Sequence, residues 1–340
     1  MEENKYNLTK EDFVSDQMVK WCPGCGDHAI LASLEKIMPQ LGKRKEDILI
    51  ISGIGCSSRS PYYINTYGFH SIHGRALPIA TGAKITNPNL SVWVTTGDGD
   101  CLAIGGNHFI HTLRRNMDIK IVLYNNQIYG LTKGQYSPTT PLGKITKTSP
   151  MGTIEEPFNP GELAIGAGTT FFARSLDSNL KTQSEVMLAA AAHKGTAFIE
   201  ILQNCMIYNN GAYAYYNDKE NREDRVICLE QGKPMIFGKN KNMGIHLCND
   251  QNKLEIGTIG ENGFSIDDVL IHDAHQNNRG VHLMLAEMKP PFPLAVGVIR
   301  DIDKPVYSEL MENQIIEAKA KSKIKCVDDL LNSGNTWEVE

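Results

Sequence analysis

The chain has 340 residues, 41% of them hydrophobic and 21% charged, with a formal net charge of −5; this suits one large globular domain plus an extension. The acidic balance and the lack of long basic runs argue against a nucleic-acid partner. No uninterrupted apolar stretch reaches the ~18 residues of a membrane span, and Met1 to Asp16 is polar and mixed in charge, unlike a secretory or transit leader. The expectation is a cytoplasmic protein with no membrane partner, whose eight cysteines are reduced thiols or metal ligands.

Trp21-Cys22-Pro23-Gly24-Cys25-Gly26 precedes a helical pattern over His28–Met38. A strand over Ile48–Ile54 runs into Gly53-Ile54-Gly55-Cys56-Ser57-Ser58, and Ile72-His73-Gly74-Arg75 opens a helix to Ile85. Strand Ser91–Thr96, helix Leu102–Arg115 and strand Ile119–Tyr124 follow. Pro138–Pro160 holds five prolines without a period; it is too long for a plain connector and reads as a functional or interface loop. Strand Thr169–Ala173, helix Gln183–His193 and strand Ala197–Leu202 complete the pattern. Beyond Asn210 it weakens. The expected fold is α/β, a parallel sheet covered by helices on both faces, with residues 1–210 as the main domain. Residues 211–340 are expected to be an extension packed on that domain or on a partner.

Ligands in such sheets sit beyond the carboxyl ends of the strands. The strand over Ser91–Thr96 ends in Gly97-Asp98-Gly99-Asp100, and about two dozen residues later Asn125-Asn126 closes the next strand. Asp98 and the amide oxygen of Asn126 are hard oxygen ligands suited to Mg²⁺, which prefers one or two protein groups plus phosphate and water oxygens. Gly97 and Gly99 let backbone approach a phosphate. The plain alternative is a tight turn with a chance Asn pair. His73, at a loop-to-helix start, can donate to a phosphate, and Gly74 permits close approach; the alternative for His73 is a satisfied buried imidazole.

Cys22 and Cys25 stand two residues apart, and Cys56 and Cys205 lie just past strand ends. Four such thiolates suit Zn²⁺ or a [4Fe–4S] cluster, and unliganded core cysteines remain a third reading. Arg59 and Lys133 are cations near the same segments, suited to a carboxylate, though either also reads as a surface cation.

The Gly-Asp-Gly…Asn-Asn spacing resembles the motif of thiamine-diphosphate enzymes. With Cys-Pro-Gly-Cys-Gly, Gly-Ile-Gly-Cys-Ser, His-Gly-Arg-Ala and Asn-Asn-x-Ile-Tyr-Gly-Leu-Thr-Lys-Gly-Gln in the same order, the chain is similar to the β subunit of 2-oxoacid:ferredoxin oxidoreductases, most of all the 2-oxoglutarate type. The similarity is clear over residues 15–235 and weaker in the tail from Asp328 to Trp337.

The resemblance implies a thiamine-diphosphate-binding fold with Mg²⁺ held by Asp98, Asn126 and the carbonyl of Ile128. It implies cofactor contacts at Gly55, Cys56, Ser57, His73, Gly74, Gly99, Asp100, Gly130 and Leu131. It implies one [4Fe–4S] cluster on Cys22, Cys25, Cys56 and Cys205, and substrate contacts at Arg59 and Lys133. Cys228, Cys248 and Cys326 match no ligand position, and Cys101 has no assigned role. The implied reaction is the coenzyme A-dependent oxidative decarboxylation of 2-oxoglutarate, with electrons passed to ferredoxin. The ylid-generating Glu is expected on an α subunit, so the chain is expected to be active only with that partner. Pyruvate or a branched-chain 2-oxoacid is the alternative substrate; a non-catalytic zinc-bound scaffold is the remote alternative.

Overall fold

Every residue of the runs Lys120–Asn125, Phe171–Leu176 and Ala197–Leu202 is buried, which places all three strands in the middle of a sheet covered on both faces. In the computed structural model, which describes residues 6–248 and 252–339, the strands in chain order begin β1 (Ile48–Ser52), β2 (Tyr67–His70), β3 (Ser91–Gly97), β4 (Lys120–Asn125), β5 (Phe171–Leu176) and β6 (Ala197–Leu202). They continue with β7 (Val226–Leu229), β8 (Ile236–Phe237), β9 (Met243–Cys248), β10 (Lys253–Thr258) and β11 (Leu294–Asp301). An eight-stranded sheet runs β2-β1-β3-β4-β6-β5-β11-β7, and β8, β9 and β10 form a separate antiparallel sheet.

Alternate side chains divide between two cores, as the period of a strand requires. Ile121, Leu123 and Phe198 face one core with the helices Ala76–Thr86 and Gly106–Arg115. Val122, Tyr124 and Ile199 face the other with the helices Asp27–Ile37 and Leu180–Ala192. The expected α/β sheet with helices on both faces is therefore observed. It differs from a purely parallel sheet in its last two strands, because β11 pairs antiparallel with β5 and β7 runs parallel to β11.

Three expectations are corrected. The helix read over Leu102–Arg115 is two, Asp98–Leu102 and Gly106–Arg115. The break lets Gly74 approach: a methyl on Gly74 (φ +71°) would lie 2.7 Å from Gly105 N, so the chain cannot continue there as a helix of larger residues. The strand read from Thr169 begins at Phe171, since the carbonyls of Thr169 and Thr170 accept instead from Arg300 and Ile302. The edge strand β2 adds to the expected strands; it is only four residues long, holds a glycine and a histidine, and leaves all four residues exposed.

Beyond residue 210 the chain returns to the main sheet with β7 and β11, then leaves it as the helices Tyr307–Lys321 and Val327–Leu331. Those helices are exposed almost throughout. The loop between Pro138 and Pro160 also presents apolar side chains to solvent, with Met151 95% and Ile154 92% exposed. Among the described residues, no helix is long and apolar enough to cross a membrane.

Candidate active site and cysteine cavity

The ends of β1, β3 and β4 open onto a cavity of about 470 Å³, the position expected for a ligand of such a sheet. Asp98 enters it directly after β3 and is 2% exposed. Its Oδ2 accepts from the hydroxyls of Ser137 and Thr139, both at 2.5 Å. Burial pushes its carboxyl up to about 6, against those hydroxyls, which lower it. No Lys, Arg or His among the described residues makes an ion pair with it. A buried carboxylate without a cationic partner is costly unless it coordinates a cation; Asp98 therefore fits a metal site.

Asn126 lines the same cavity. Its Oδ1 accepts from the N–H of Ile128 at 3.1 Å, with Gln127 in the left-handed region at φ +57°. This turn carries Ile128 into the cavity wall. Gly99 lies against the ring of Tyr129 so closely that a methyl there would overlap it, and the Tyr129 hydroxyl donates to the Gly99 carbonyl at 2.9 Å.

Asp100 works differently from its neighbour. Its Oδ1 accepts from Ile54 N (3.0 Å), Gly74 N (2.7 Å) and His73 Nδ1 (2.7 Å), and its Oδ2 from Thr96 Oγ1 (2.7 Å). Four donors thus occupy one carboxylate, which ties the Gly53–Gly55 loop and the His73–Gly74 turn to the end of β3. Asp100 builds the cavity by holding these loops. Gly74 contributes through its backbone N–H to Asp100, while His73 lines the cavity and keeps Nε2 as its second ring nitrogen. Gly55, at φ +130°, and Ser57 line the cavity on either side of Cys56.

A second cavity, of about 220 Å³, is lined by Cys22, Cys25, Cys56 and Cys205 together. Arg59 and Lys133 line it too. The fold converges these four from distant segments. Cys25 N donates to the Cys22 carbonyl at 3.1 Å, Trp21 Nε1 donates to the Cys56 carbonyl at 2.7 Å, and Gly26 N donates to the Asn204 carbonyl beside Cys205. Burial raises the thiols of Cys56, to about 12, and of Cys25, above the usual range. Neutral thiols are thus favoured until a metal takes the proton's place. Among the described residues no three His, Cys, Asp or Glu side chains are drawn tightly enough around one point to hold a single ion. The four cysteines do line one cavity, and four thiols are the donor set that a [4Fe–4S] cluster uses.

The two cavities share a wall. Cys56, Gly130 and Leu131 line both. A methyl on Gly130 would lie 3.5 Å from Cys205 Sγ and 3.8 Å from Cys56 Sγ. Of the other cysteines, Cys228 lines a different cavity, Cys101 is a buried residue of the Asp98–Leu102 helix, and Cys326 caps Val327–Leu331 in the tail.

Sequence reasoning missed Ser137, just before the proline-rich loop, Thr139 within it, and Asp27. Asp27 is 1% exposed, lines the larger cavity and has no partner for Oδ2; burial pushes it up to about 7. An acidic residue opening a helix next to Cys25 was the available signal.

Comparisons with known proteins agree with this geometry. Residues 53–201 match the thiamine pyrophosphate enzyme C-terminal TPP-binding domain. The chain is 46% identical over 334 residues to 2-oxoglutarate oxidoreductase subunit KorB of Mycobacterium tuberculosis, covering 97% of this chain and 88% of that one. It is 43% identical over 223 residues to the β subunit of 2-oxoacid:ferredoxin oxidoreductase 2 of Aeropyrum pernix, covering 64% and 72%. Among solved structures it resembles the 2-oxoglutarate:ferredoxin oxidoreductase of Magnetococcus marinus, solved with 2-oxoglutarate, coenzyme A and succinyl-CoA bound. The TM-score is 0.78 at 29% identity, over 98% of both chains. A chain that is 46% identical to such a relative over 97% of its length, and that sets a carboxylate-floored cavity beside one lined by four cysteines, belongs to the family of 2-oxoacid:ferredoxin oxidoreductase β subunits, among those of the 2-oxoglutarate type.

Proposed function

We propose that this chain supplies the thiamine-diphosphate site and the electron exit of an enzyme that converts 2-oxoglutarate and coenzyme A to succinyl-CoA and CO₂, passing two electrons singly to ferredoxin. The observation that carries the reading is the wall shared by the Asp98 cavity and the four-cysteine cavity. Thiamine diphosphate supplies the carbanion chemistry of decarboxylation, and a [4Fe–4S] cluster accepts the electrons one at a time, which zinc cannot do.

The protein's part is binding and placement. Asp98, Asn126 and the Ile128 carbonyl hold Mg²⁺, which neutralises the diphosphate beside Gly99. The Asp100 clamp fixes His73 and Gly74 at the phosphate end. Cys22, Cys25, Cys56 and Cys205 would hold the cluster, across the wall of Cys56, Gly130 and Leu131 from the cofactor cavity. Arg59 and Lys133 receive the substrate carboxylates as fixed positive charges. The glutamate that activates the thiamine ring comes from an α subunit, which covers the exposed apolar loop and tail. All eight cysteines are unpaired, which suits a reducing cytoplasm.

The test is anaerobic co-expression with a candidate α chain, followed by assay of ferredoxin reduction. Brown protein, coenzyme A-dependent turnover on 2-oxoglutarate and weaker turnover on pyruvate are expected. Colourless zinc-containing protein would overturn the cluster, and a preference for pyruvate would overturn the substrate.

A further inference from the structure

Gln203 follows β6 and precedes Cys205 by two residues. It is wholly buried. Its Nε2 donates to the Asn204 carbonyl at 2.6 Å and to Cys25 Sγ at 3.3 Å, while its Oε1 has no partner. The orientation of the amide is fixed by chemistry: turning it over would set Oε1 against the Asn204 carbonyl, two acceptors at hydrogen-bond distance. The second N–H is therefore committed to the sulfur. Leaving Oε1 buried and unpaired is costly, and a side chain kept only for packing would not incur that cost.

The bond is also asymmetric. Among the described residues, Gln203 is the one side chain that donates to any of the four sulfurs lining the cysteine cavity. Hydrogen bonds to cluster sulfurs help to set iron–sulfur potentials. A reduced cluster carries one more negative charge, spread partly onto its sulfurs, so a donor stabilises the reduced form more than the oxidised form.

We propose that Gln203 is a positioning residue for electron exit, and that its N–H bond to Cys25 raises the reduction potential of the cluster. This rests on the cluster assignment above. In the step concerned, the cluster gains one electron from oxidation of the 2-oxoacid and loses it to the external carrier; Gln203 exchanges neither electron nor proton.

The experiment is an EPR-monitored redox titration of the anaerobic complex with its α subunit, for wild type, Gln203→Leu and Gln203→Glu. Gln203→Leu should lower the equilibrium constant for reduction by a fixed one-electron carrier on the order of ten-fold, about 59 mV, at unchanged iron content. Gln203→Glu, which replaces the donor with an acceptor, should lower it further. In D₂O the reduced wild-type cluster should show coupling to an exchangeable deuteron that is weaker in Gln203→Leu. Equal midpoints in all three proteins, or a rise in either variant, would overturn the proposal. If Gln203→Leu fails to fold, Gln203→Met, which keeps the unbranched length of the side chain but has no N–H or O–H donor, decides it, an unchanged midpoint refuting the role. Wild-type protein without iron or an EPR signal would instead remove the cluster reading on which the proposal stands.

Discussion

Thr139 and Asp98 lie 41 residues apart, yet the hydroxyl of one meets Oδ2 of the other at 2.5 Å. With Ser137 on the same oxygen, the carboxylate is fixed in rotation. A hydrogen bond to a charged group contributes roughly 1.5–3 kcal/mol. Thr139→Val should therefore weaken Mg²⁺-dependent thiamine-diphosphate binding by about ten-fold or more, with Thr139→Ser near wild type. Asp98→Ala should abolish it and Asn126→Ala should weaken it. Calorimetry on the assembled protein checks the series, and wild-type affinity in Asp98→Ala would exclude the site.

The same carboxylate makes the cofactor-free chain sensitive to pH. Burial raises Asp98 from its ordinary 3.8 to about 6 and Asp27 to about 7. A group raised on folding stabilises the folded state fully below its unfolded pKa, and that contribution is lost as pH rises through the folded value. For Asp98 the full loss is about 3 kcal/mol, of which roughly half is already gone at pH 5. Metal-free protein should thus melt at a higher temperature near pH 5 than near pH 7.5. Asp98→Asn should flatten that difference, and Mg²⁺ with cofactor should raise Tm more at pH 7.5. The same pH 5 to pH 7.5 difference in Tm in wild type and in Asp98→Asn would contradict the account.

Single serine substitutions at Cys22, Cys25, Cys56 and Cys205 should each lower iron content and electron transfer, because each removes one of four thiolates from a single cavity. Cys228→Ser and Cys326→Ser should leave both near wild type. Iron analysis and visible absorbance read the difference; loss of iron in the Cys228 variant would break the assignment.

Lys133 is exposed, adopts φ +81° and lines the cysteine cavity beside Arg59. If it reads the distal carboxylate of 2-oxoglutarate, Lys133→Ala should lower kcat/KM for that substrate about ten- to a hundred-fold. Pyruvate, which lacks the second carboxylate, should lose much less. Parallel losses on both substrates would assign Lys133 to something other than the distal group.

The sheet and the motif loops were legible because their signals are local. Apolar runs mark β1, β3, β4 and β6 to within two residues, and Gly-Asp-Gly and Asn-Asn each stand at a strand end. What stayed hidden depends on pairing across distance. Ser137 and Thr139 sit among prolines without a period, so nothing in their neighbourhood points to Asp98. Gln203 reads as an ordinary polar residue until β6 carries it against Cys25. Asp100 carries the same motif as Asp98, and only its four donors reveal a clamp. The last third of the chain blurred because its two contributions to the main sheet, β7 and β11, are separated by a sheet of their own.

That late return of the chain governs what can be cut away. β5 is buried along its whole length, between β6 and β11. A fragment ending near residue 210 would keep every motif of both cavities, but it would turn β5 into an edge, a row of unpaired N–H and C=O groups on an apolar strand. Such an edge is a template for pairing with another copy. The residues that carry chemistry and those that keep the sheet soluble thus lie at opposite ends of one polypeptide, and a minimal catalytic fragment would be an aggregating one.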